Sequence, residues 1–102
     1  MRTIKPVRTA ALSLLARQPY TARRLALKLS EKGYPQQEIE GVIEWCVGQK
    51  YLDDAAWALR AAERKAAKGW DRRKIASYLR FYGISRDDIT DALKALETDE
   101  YE

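Results

Sequence analysis

Residues 21–33 read TARRLALKLSEKG, and residues 71–83 read DRRKIASYLRFYG. Each stretch opens with a side chain that can cap a helix, Thr21 or Asp71, because its oxygen can accept a hydrogen bond from a free backbone N–H. Each closes on a glycine, which can take the left-handed conformation that ends a helix. Apolar residues recur between these ends at helical spacing. Both stretches are therefore predicted to be amphipathic helices with their own start and stop signals.

The likeness between the two stretches extends along the chain. A shift of 50 residues aligns them without a gap and gives these identical pairs: Ala11 and Ala61, Ala16 and Ala66, Arg23 and Arg73, Ala26 and Ala76, Leu29 and Leu79, Gly33 and Gly83, Ile39 and Ile89. Two unrelated three-helix hairpins could share caps and spacing, but the lack of gaps favours a true repeat. We therefore predict two modules, residues 1–50 and residues 51–102, the second with an acidic tail.

The composition favours helix in both modules. The chain has 15 Ala and 11 Leu against 9 Val and Ile together, and Ala and Leu are the strongest helix formers. No stretch alternates apolar and polar residues as a strand would. The sequence thus predicts an all-α fold of six helices in two tandem three-helix, helix-turn-helix-like modules. The last helix is expected to end near Glu97, with a frayed tail over residues 98–102.

Each module is expected to bury its own apolar cluster. The repeat places Leu25, Leu29, Ile39 and Ile43 in the first cluster, and Ile75, Leu79, Ile89 and Leu93 in the second. Most of five further aromatic residues are expected in the core as well: Tyr34, Trp45, Tyr51, Trp57 and Trp70. The single cysteine, Cys46, lies among apolar residues, so we expect a buried free thiol.

Composition excludes several classes of function. The 102 residues include one Cys and no His, which rules out a disulfide framework, a His-based catalytic triad and a Cys/His zinc site. No apolar run is long enough to cross a membrane, and no apolar h-region follows the basic N-terminus, so we expect a cytoplasmic protein. With no phosphate loop, carboxylate dyad or nucleophile–base pair either, we expect no enzymatic activity, no cofactor and no metal.

Positive charge is concentrated in one segment of the second module. Residues 60–86 hold 9 Lys or Arg and 2 Asp or Glu, although the whole chain has a net charge of only +4. We predict that six of them contact a partner or nucleic acid, and we call them the basic set: Arg60, Arg64, Lys68, Arg72, Arg73 and Lys74. The first three are spaced to lie along one face of the fourth helix. The alternative is that they are a solvated surface without a partner.

Three aromatic residues of the fifth helix stand where the first module has charged residues. Tyr78, Phe81 and Tyr82 occupy the positions of Lys28, Glu31 and Lys32. A position that tolerates charge in one module is not required in the core of the other. The three rings could therefore lie in the seam between modules, form a docking face for another protein, or form a platform for bases. We expect at least one of them to be substantially exposed.

Six short motifs, taken in order, resemble the regulatory proteins of the RecX family: LLAR at 14–17, RRLALKL at 23–29, KGY at 32–34, YLDD at 51–54, GWDRRKI at 69–75 and YGI at 82–84. The first three resemble the opening module of that family and the last two its second module. The YLDD motif matches the family's junction, which continues with Arg-Phe where this chain has Ala56 and Trp57. The resemblance spans the chain from about Ala10 to Leu96.

The resemblance implies tandem three-helix modules and binding to the RecA recombinase on its single-stranded DNA filament. It further implies inhibition of RecA filament growth or activity. We expect the protein to act by occupancy, as a monomer or weak dimer. Family members generally carry a third module, and the sequence given shows two. Two alternatives stay open: a small basic helix-turn-helix-like protein that binds DNA directly, and a truncated adaptor without RecA activity.

Overall fold

The fold consists of six helices, in a computed structural model that describes residues 5–99 and their side chains as far as Glu97. They are α1 (Val7–Arg17), α2 (Ala22–Glu31), α3 (Gln36–Gly48), α4 (Asp54–Ala67), α5 (Arg72–Phe81) and α6 (Arg86–Asp99). None of the described residues forms a strand, so the predicted all-α fold is confirmed. Helix α6 continues past Glu97 to Asp99. The rest of the tail predicted to fray, residues 100–102, lies outside the described residues.

The chain divides into two compact units, Met1–Asp53 and Asp54–Glu102. Helices α1 to α3 belong to the first unit and α4 to α6 to the second. The bounds of α2 and α5 are related by the same 50-residue shift as the sequence, and each of these helices is 10 residues long. The two units therefore repeat one another in secondary structure as well as in sequence.

Side-chain caps begin the second helix of each unit in the same way. The Oγ1 of Thr21 accepts a hydrogen bond from the backbone N–H of Arg24 at 3.2 Å, and the Oδ1 of Asp71 accepts one from Lys74 at 2.8 Å. The hydroxyl of Ser85 accepts a third such bond, at 3.2 Å, at the start of α6. Each cap satisfies an N–H group that has no partner within its helix, and the sequence predicted the caps at Thr21 and Asp71.

Glycines end three of the helices. Gly33, Gly69 and Gly83 have φ values of 99°, 91° and 87°, in a region that side chains with a Cβ rarely adopt. The residue after each glycine donates its N–H to a carbonyl five residues earlier: Tyr34 to Leu29, Trp70 to Lys65 and Ile84 to Leu79. This hydrogen bond defines the Schellman motif. At the end of α4 it places Trp70 next to the helical turn that carries Lys65.

The core of the first unit contains the residues that the repeat predicted. Leu25 and Leu29 are fully buried and Ile39 is almost so, while Ile43 packs against them half-buried. Cys46 is also fully buried and is a free thiol, as expected. Alanines of α1, among them Ala11, let the helices approach closely around this cluster.

The core of the second unit is built on the same plan. Ile75, Leu79, Ile89 and Leu93 form one buried cluster, which confirms the predicted counterpart of the first core. Three alanines on α4 complete it: Ala58, Ala61 and Ala62, all fully buried. Small side chains on α4 leave room for α5 and α6 to pack on the same helix.

Most of the five further aromatic residues pack against the core as expected, and Tyr51 is the exception. Tyr51 is 51% exposed, because it follows the end of α3 in the connection to α4. The other four aromatic residues of that group are half-buried and pack against their unit's core: Tyr34, Trp45, Trp57 and Trp70. Helix α4 carries Arg60 and Arg64 and ends at Ala67, so Lys68 lies in the turn before Gly69.

Candidate partner-binding surface on the second unit

Five aromatic rings of the second unit form one continuous group, which we call the aromatic face. Tyr78 and Phe81 lie on α5, and Tyr82 directly follows that helix. Trp57 lies on α4, and Trp70 lies in the Schellman turn after α4. On α4, Trp57 stands four residues before the buried Ala61, so it shares the side of the helix that packs in the core. The rings meet because the alanines of α4 let α5 pack closely against it.

The ring contacts run from one end of the aromatic face to the other. Tyr78 touches three rings: Trp70 edge-on with centroids 5.6 Å apart, Trp57 stacked at 6.4 Å, and Tyr82 tilted at 4.9 Å. Tyr82 also contacts Trp57 at 5.1 Å and Phe81 edge-on at 5.3 Å. These distances and tilts are in the range in which aromatic pairs attract one another. The aromatic face is thus a packed group with a defined geometry.

Phe81 stands apart from the other rings in its exposure. Its side chain is 68% exposed, the largest value among the large apolar residues that the structure describes. Trp57, Trp70 and Tyr78 are half-buried against the core, and Tyr82 is half-buried as well. The expectation that at least one of the three α5 rings is substantially exposed is therefore confirmed.

Two lysine ammonium groups lie against the rings. The Nζ of Lys65 is 4.7 Å from the centroid of Trp70 and 4.6 Å from that of Tyr78, and the Nζ of Lys74 is 4.3 Å from Trp70. Cations at such distances are attracted to the ring faces. The ring contacts hold both positive charges beside the aromatic face.

Lys65 was missing from the basic set that the sequence predicted. The repeat contained a signal for it, because Lys65 stands where the first unit has the apolar Leu15. The second unit thus has a lysine in place of an apolar residue and aromatic residues in place of charged ones. Both changes indicate that this surface differs between the two units.

The six residues of the basic set fall into three groups in the structure. Arg60, Arg64 and Arg73 are exposed on α4 and α5, and Lys68 is exposed in the turn between these helices. Lys74 lies beside the aromatic face, against the ring of Trp70. Arg72 instead contacts α6, where its Nη1 lies 2.6 Å from the Oε2 of Glu97 and donates to the carbonyl of Leu93 at 3.4 Å. The six residues of the basic set therefore differ in their contacts: four are exposed on or near α4 and α5, one lies beside aromatic rings, and one is paired with α6.

The first unit has the same helices without this surface. The positions that match Trp57, Tyr78, Phe81 and Tyr82 carry Val7, Lys28, Glu31 and Lys32, and only Trp70 has an aromatic counterpart, Tyr20. Glu31 and Lys32 are exposed there. A three-helix unit of this kind can thus fold without an aromatic ring at the position of Phe81, so the fold alone does not explain that exposed ring.

Other chemistry in the described residues is limited. No group of His, Cys, Asp or Glu within residues 5–99 could hold a metal ion, and no helix in that range is both long and apolar enough to cross a bilayer. In the first unit, burial raises the pKa of the Cys46 thiol, and the positive charge of Arg8 offsets part of that rise. Arg8 itself lies over the ring of Trp45, 4.0 Å from its centroid, which ties α1 to α3.

Comparisons with known proteins agree on one family. The family model described as RecX, first three-helix domain, matches residues 8–46. The regulatory protein RecX of Vibrio parahaemolyticus serotype O3:K6 is 31% identical over 93 residues, which are 91% of this chain and 60% of the relative. The regulatory protein RecX of Halorhodospira halophila is 33% identical over 93 residues, covering 91% of this chain and 58% of the relative.

A solved structure is similar to this chain in fold. The crystal structure of a regulatory protein RecX matches with a TM-score of 0.78 and 28% identity, over 88% of this chain and 45% of that chain. The chain thus spans about three fifths of the length of the curated relatives named above. The order of the motifs, the paired three-helix units and these similarities lead to one conclusion: the chain belongs to the RecX family.

Proposed function

We propose that this chain is a regulator that binds the RecA recombinase, or the RecA filament on single-stranded DNA, and inhibits it by occupying part of its surface. The observation that carries the proposal is the exposed Phe81 at the edge of five packed rings, with Lys65 and Lys74 held beside them. Exposed apolar groups with a charged border are typical of protein interfaces. Membership of a family whose relatives are named regulatory proteins supports the same function.

The proposed mechanism needs binding and no chemical step. Positive charge on α4 and α5 would speed the approach to a negatively charged filament, because unlike charges steer diffusing partners together. The rings would then supply apolar contact area, which contributes more to affinity than exposed charges do. Occupancy of the filament surface would block the addition of further RecA or its contacts with DNA.

The direct test is a pull-down of purified RecA by the tagged chain, with and without single-stranded DNA, together with the RecA ATPase rate. We expect retention of RecA and a lower ATPase rate at saturating chain. Failure to retain RecA in either state, with the chain folded by circular dichroism, contradicts the proposal.

A second candidate is direct binding to DNA. It is favoured by α5, the second helix of a three-helix unit, which exposes Arg73 and Arg80, since helix-turn-helix proteins bind with two helices of such a unit. Binding to bare duplex DNA that falls steeply with salt would support it. Binding to RecA in the absence of any DNA would favour the first candidate instead.

A further inference from the structure

The aromatic face offers one open ring and not a row of them. Four of its five rings are half-buried, and Phe81 alone is largely exposed. Lys65 and Lys74 lie against the rings of Tyr78 and Trp70, so these rings are already in contact with side chains of their own unit. Phe81 and Tyr82 meet edge-on, with 82° between their planes. Successive nucleic-acid bases stack on parallel open ring faces, and this arrangement does not provide them.

The open ring and one of the cations share a face of α5. Lys74, Tyr78 and Phe81 are spaced i, i+4 and i+7, which places them along one side of the helix. Seven residues of helix span about 10 Å. An extended peptide covers that distance in about three residues. A partner segment could therefore meet Phe81 with an apolar side chain and Lys74 with a carboxylate about three residues away.

The positive charges around the aromatic face favour a partner with negative charge. Lys65 and Lys74 are held beside the rings, and Arg73 and Arg80 are exposed on the same helix as Phe81. Carboxylates complement these cations, whereas a basic segment would be repelled. A single apolar side chain complements the single exposed ring.

We propose that the aromatic face binds an acidic protein segment that packs one apolar side chain against Phe81 and places carboxylates beside Lys65 and Lys74. This inference rests on the proposed function for the biological partner, and it adds the chemistry that the site recognises. It assigns the contact to protein and not to the DNA of a filament.

The test uses probes that do not depend on RecA. We would measure fluorescence anisotropy of three labelled probes against the full chain: a short Asp/Glu-rich peptide with one central Phe, the same peptide with Ser at that position, and an oligothymidylate of matched negative charge. We expect the Phe peptide to bind at least about tenfold more tightly than the Ser peptide, because burial of a Phe side chain supplies a difference of that size.

Variants of the chain locate the contact. Phe81→Glu introduces the residue that the first unit carries at the matching position, Glu31, so the fold should accept it. It should weaken binding of the Phe peptide about tenfold or more, and Lys65→Gln combined with Lys74→Gln should weaken it at low salt. Leu27→Ser is the matched control, because Leu27 is an exposed apolar residue of α2, at 46%, and the second unit has Ser77 at that position.

Two results overturn the inference. One is equal affinity of the Phe peptide for the parent chain and for Phe81→Glu. The other is an oligothymidylate that binds more tightly than the peptide and loses its affinity in Phe81→Glu, since the ring would then serve bases. A chain that binds the Phe peptide through Phe81 and fails to bind RecA keeps this inference and removes the proposed function. If the parent chain binds RecA and Phe81→Glu binds both the Phe peptide and the oligothymidylate as tightly as the parent does, the proposed function stands and this inference is removed.

Discussion

Arg72 and Glu97 form an ion pair between the first turn of α5 and the last turns of α6, with 2.6 Å between Nη1 and Oε2. The same guanidinium donates to the carbonyl of Leu93. A cation in the first turn of a helix opposes the helix dipole, and the carboxylate of Glu97 compensates for that. Both arginines are exposed, but Arg73 points to a different side of α5, because successive residues of a helix are about 100° apart. Two adjacent arginines of the basic set thus have different environments, and we expect them to have different roles.

Reversal of charge at Arg64 and Arg73 together should weaken binding to RecA–DNA filaments and leave the helical content intact. Both side chains are exposed, so the change removes steering charge without opening the core. The measurement is the affinity for filaments, with far-UV circular dichroism as the check on folding. Arg17→Glu combined with Arg23→Glu, at two exposed positions of the first unit, gives the same change in net charge and is the control. Unchanged binding and inhibition in the double variant would show that these arginines are only solvated surface.

Arg72→Gln should act on stability more than on binding. An ion pair whose side chains are both more than half exposed contributes about 0–1 kcal/mol, so we expect a small decrease in the free energy of unfolding. Filament affinity should stay within about twofold of the parent. A large loss of affinity with unchanged stability would place Arg72 in the binding surface after all.

Leu79→Ala should lower the free energy of unfolding by ~2–5 kcal/mol. Leu79 is fully buried in the second core, and a small protein has only ~5–15 kcal/mol of stability in total. Urea denaturation followed by circular dichroism gives the value. Leu27→Ser, at an exposed position, should change it little. A midpoint for Leu79→Ala equal to that of the parent would contradict the assignment of the core.

The elements that could be predicted from sequence are those with local causes. The caps at Thr21 and Asp71 depend on a backbone N–H three residues away, and Gly33 and Gly83 end helices through their own φ values. The buried leucines followed from the 50-residue repeat, because it shows which apolar positions recur. These signals fixed the six helices and both cores.

The parts that could not be predicted depend on packing between helices. Lys65 meets the ring of Tyr78 only because α4 and α5 are packed together, and nothing in the local sequence gives that distance. The pair of Arg72 with Glu97 joins residues on different helices, so the arginine looked equivalent to its neighbours. Tyr51 looked like a core residue by type alone, and its place between α3 and α4 exposes it.

Removal of the cap at Asp71 should destabilise the second unit. Asp71→Ala leaves the N–H of Lys74 without its 2.8 Å partner, and loss of such a cap costs about 0.5–2 kcal/mol. Asp71→Asn keeps an oxygen at the same place and should recover most of the stability. The measurement is the urea midpoint of the two variants. Equal destabilisation by Ala and Asn would mean that the charge of Asp71 matters and its hydrogen bond does not.

Cys46 should make stability fall at alkaline pH. Burial raises the pKa of its thiol in the folded chain above the ordinary value of 9.0, so the unfolded chain loses the proton first. The part of the folding stability that depends on this thiol is therefore fully present below the ordinary pKa. It is lost as pH rises through the pKa that the thiol has in the folded chain. As pH rises above 9.0, the parent should lose more stability than Cys46→Ala does. Parallel pH profiles for the two proteins would contradict this.

Co-sedimentation with RecA filaments on single-stranded DNA, for the parent chain and for Phe81→Glu, tests the central claim most directly. The account predicts that the parent pellets with the filaments and that Phe81→Glu stays largely in the supernatant, while Leu27→Ser pellets like the parent. Phe81 is 68% exposed, so its substitution should not unfold the chain, and thermal melts verify this. Equal pelleting of the parent and Phe81→Glu, or no pelleting of the parent, would contradict the account.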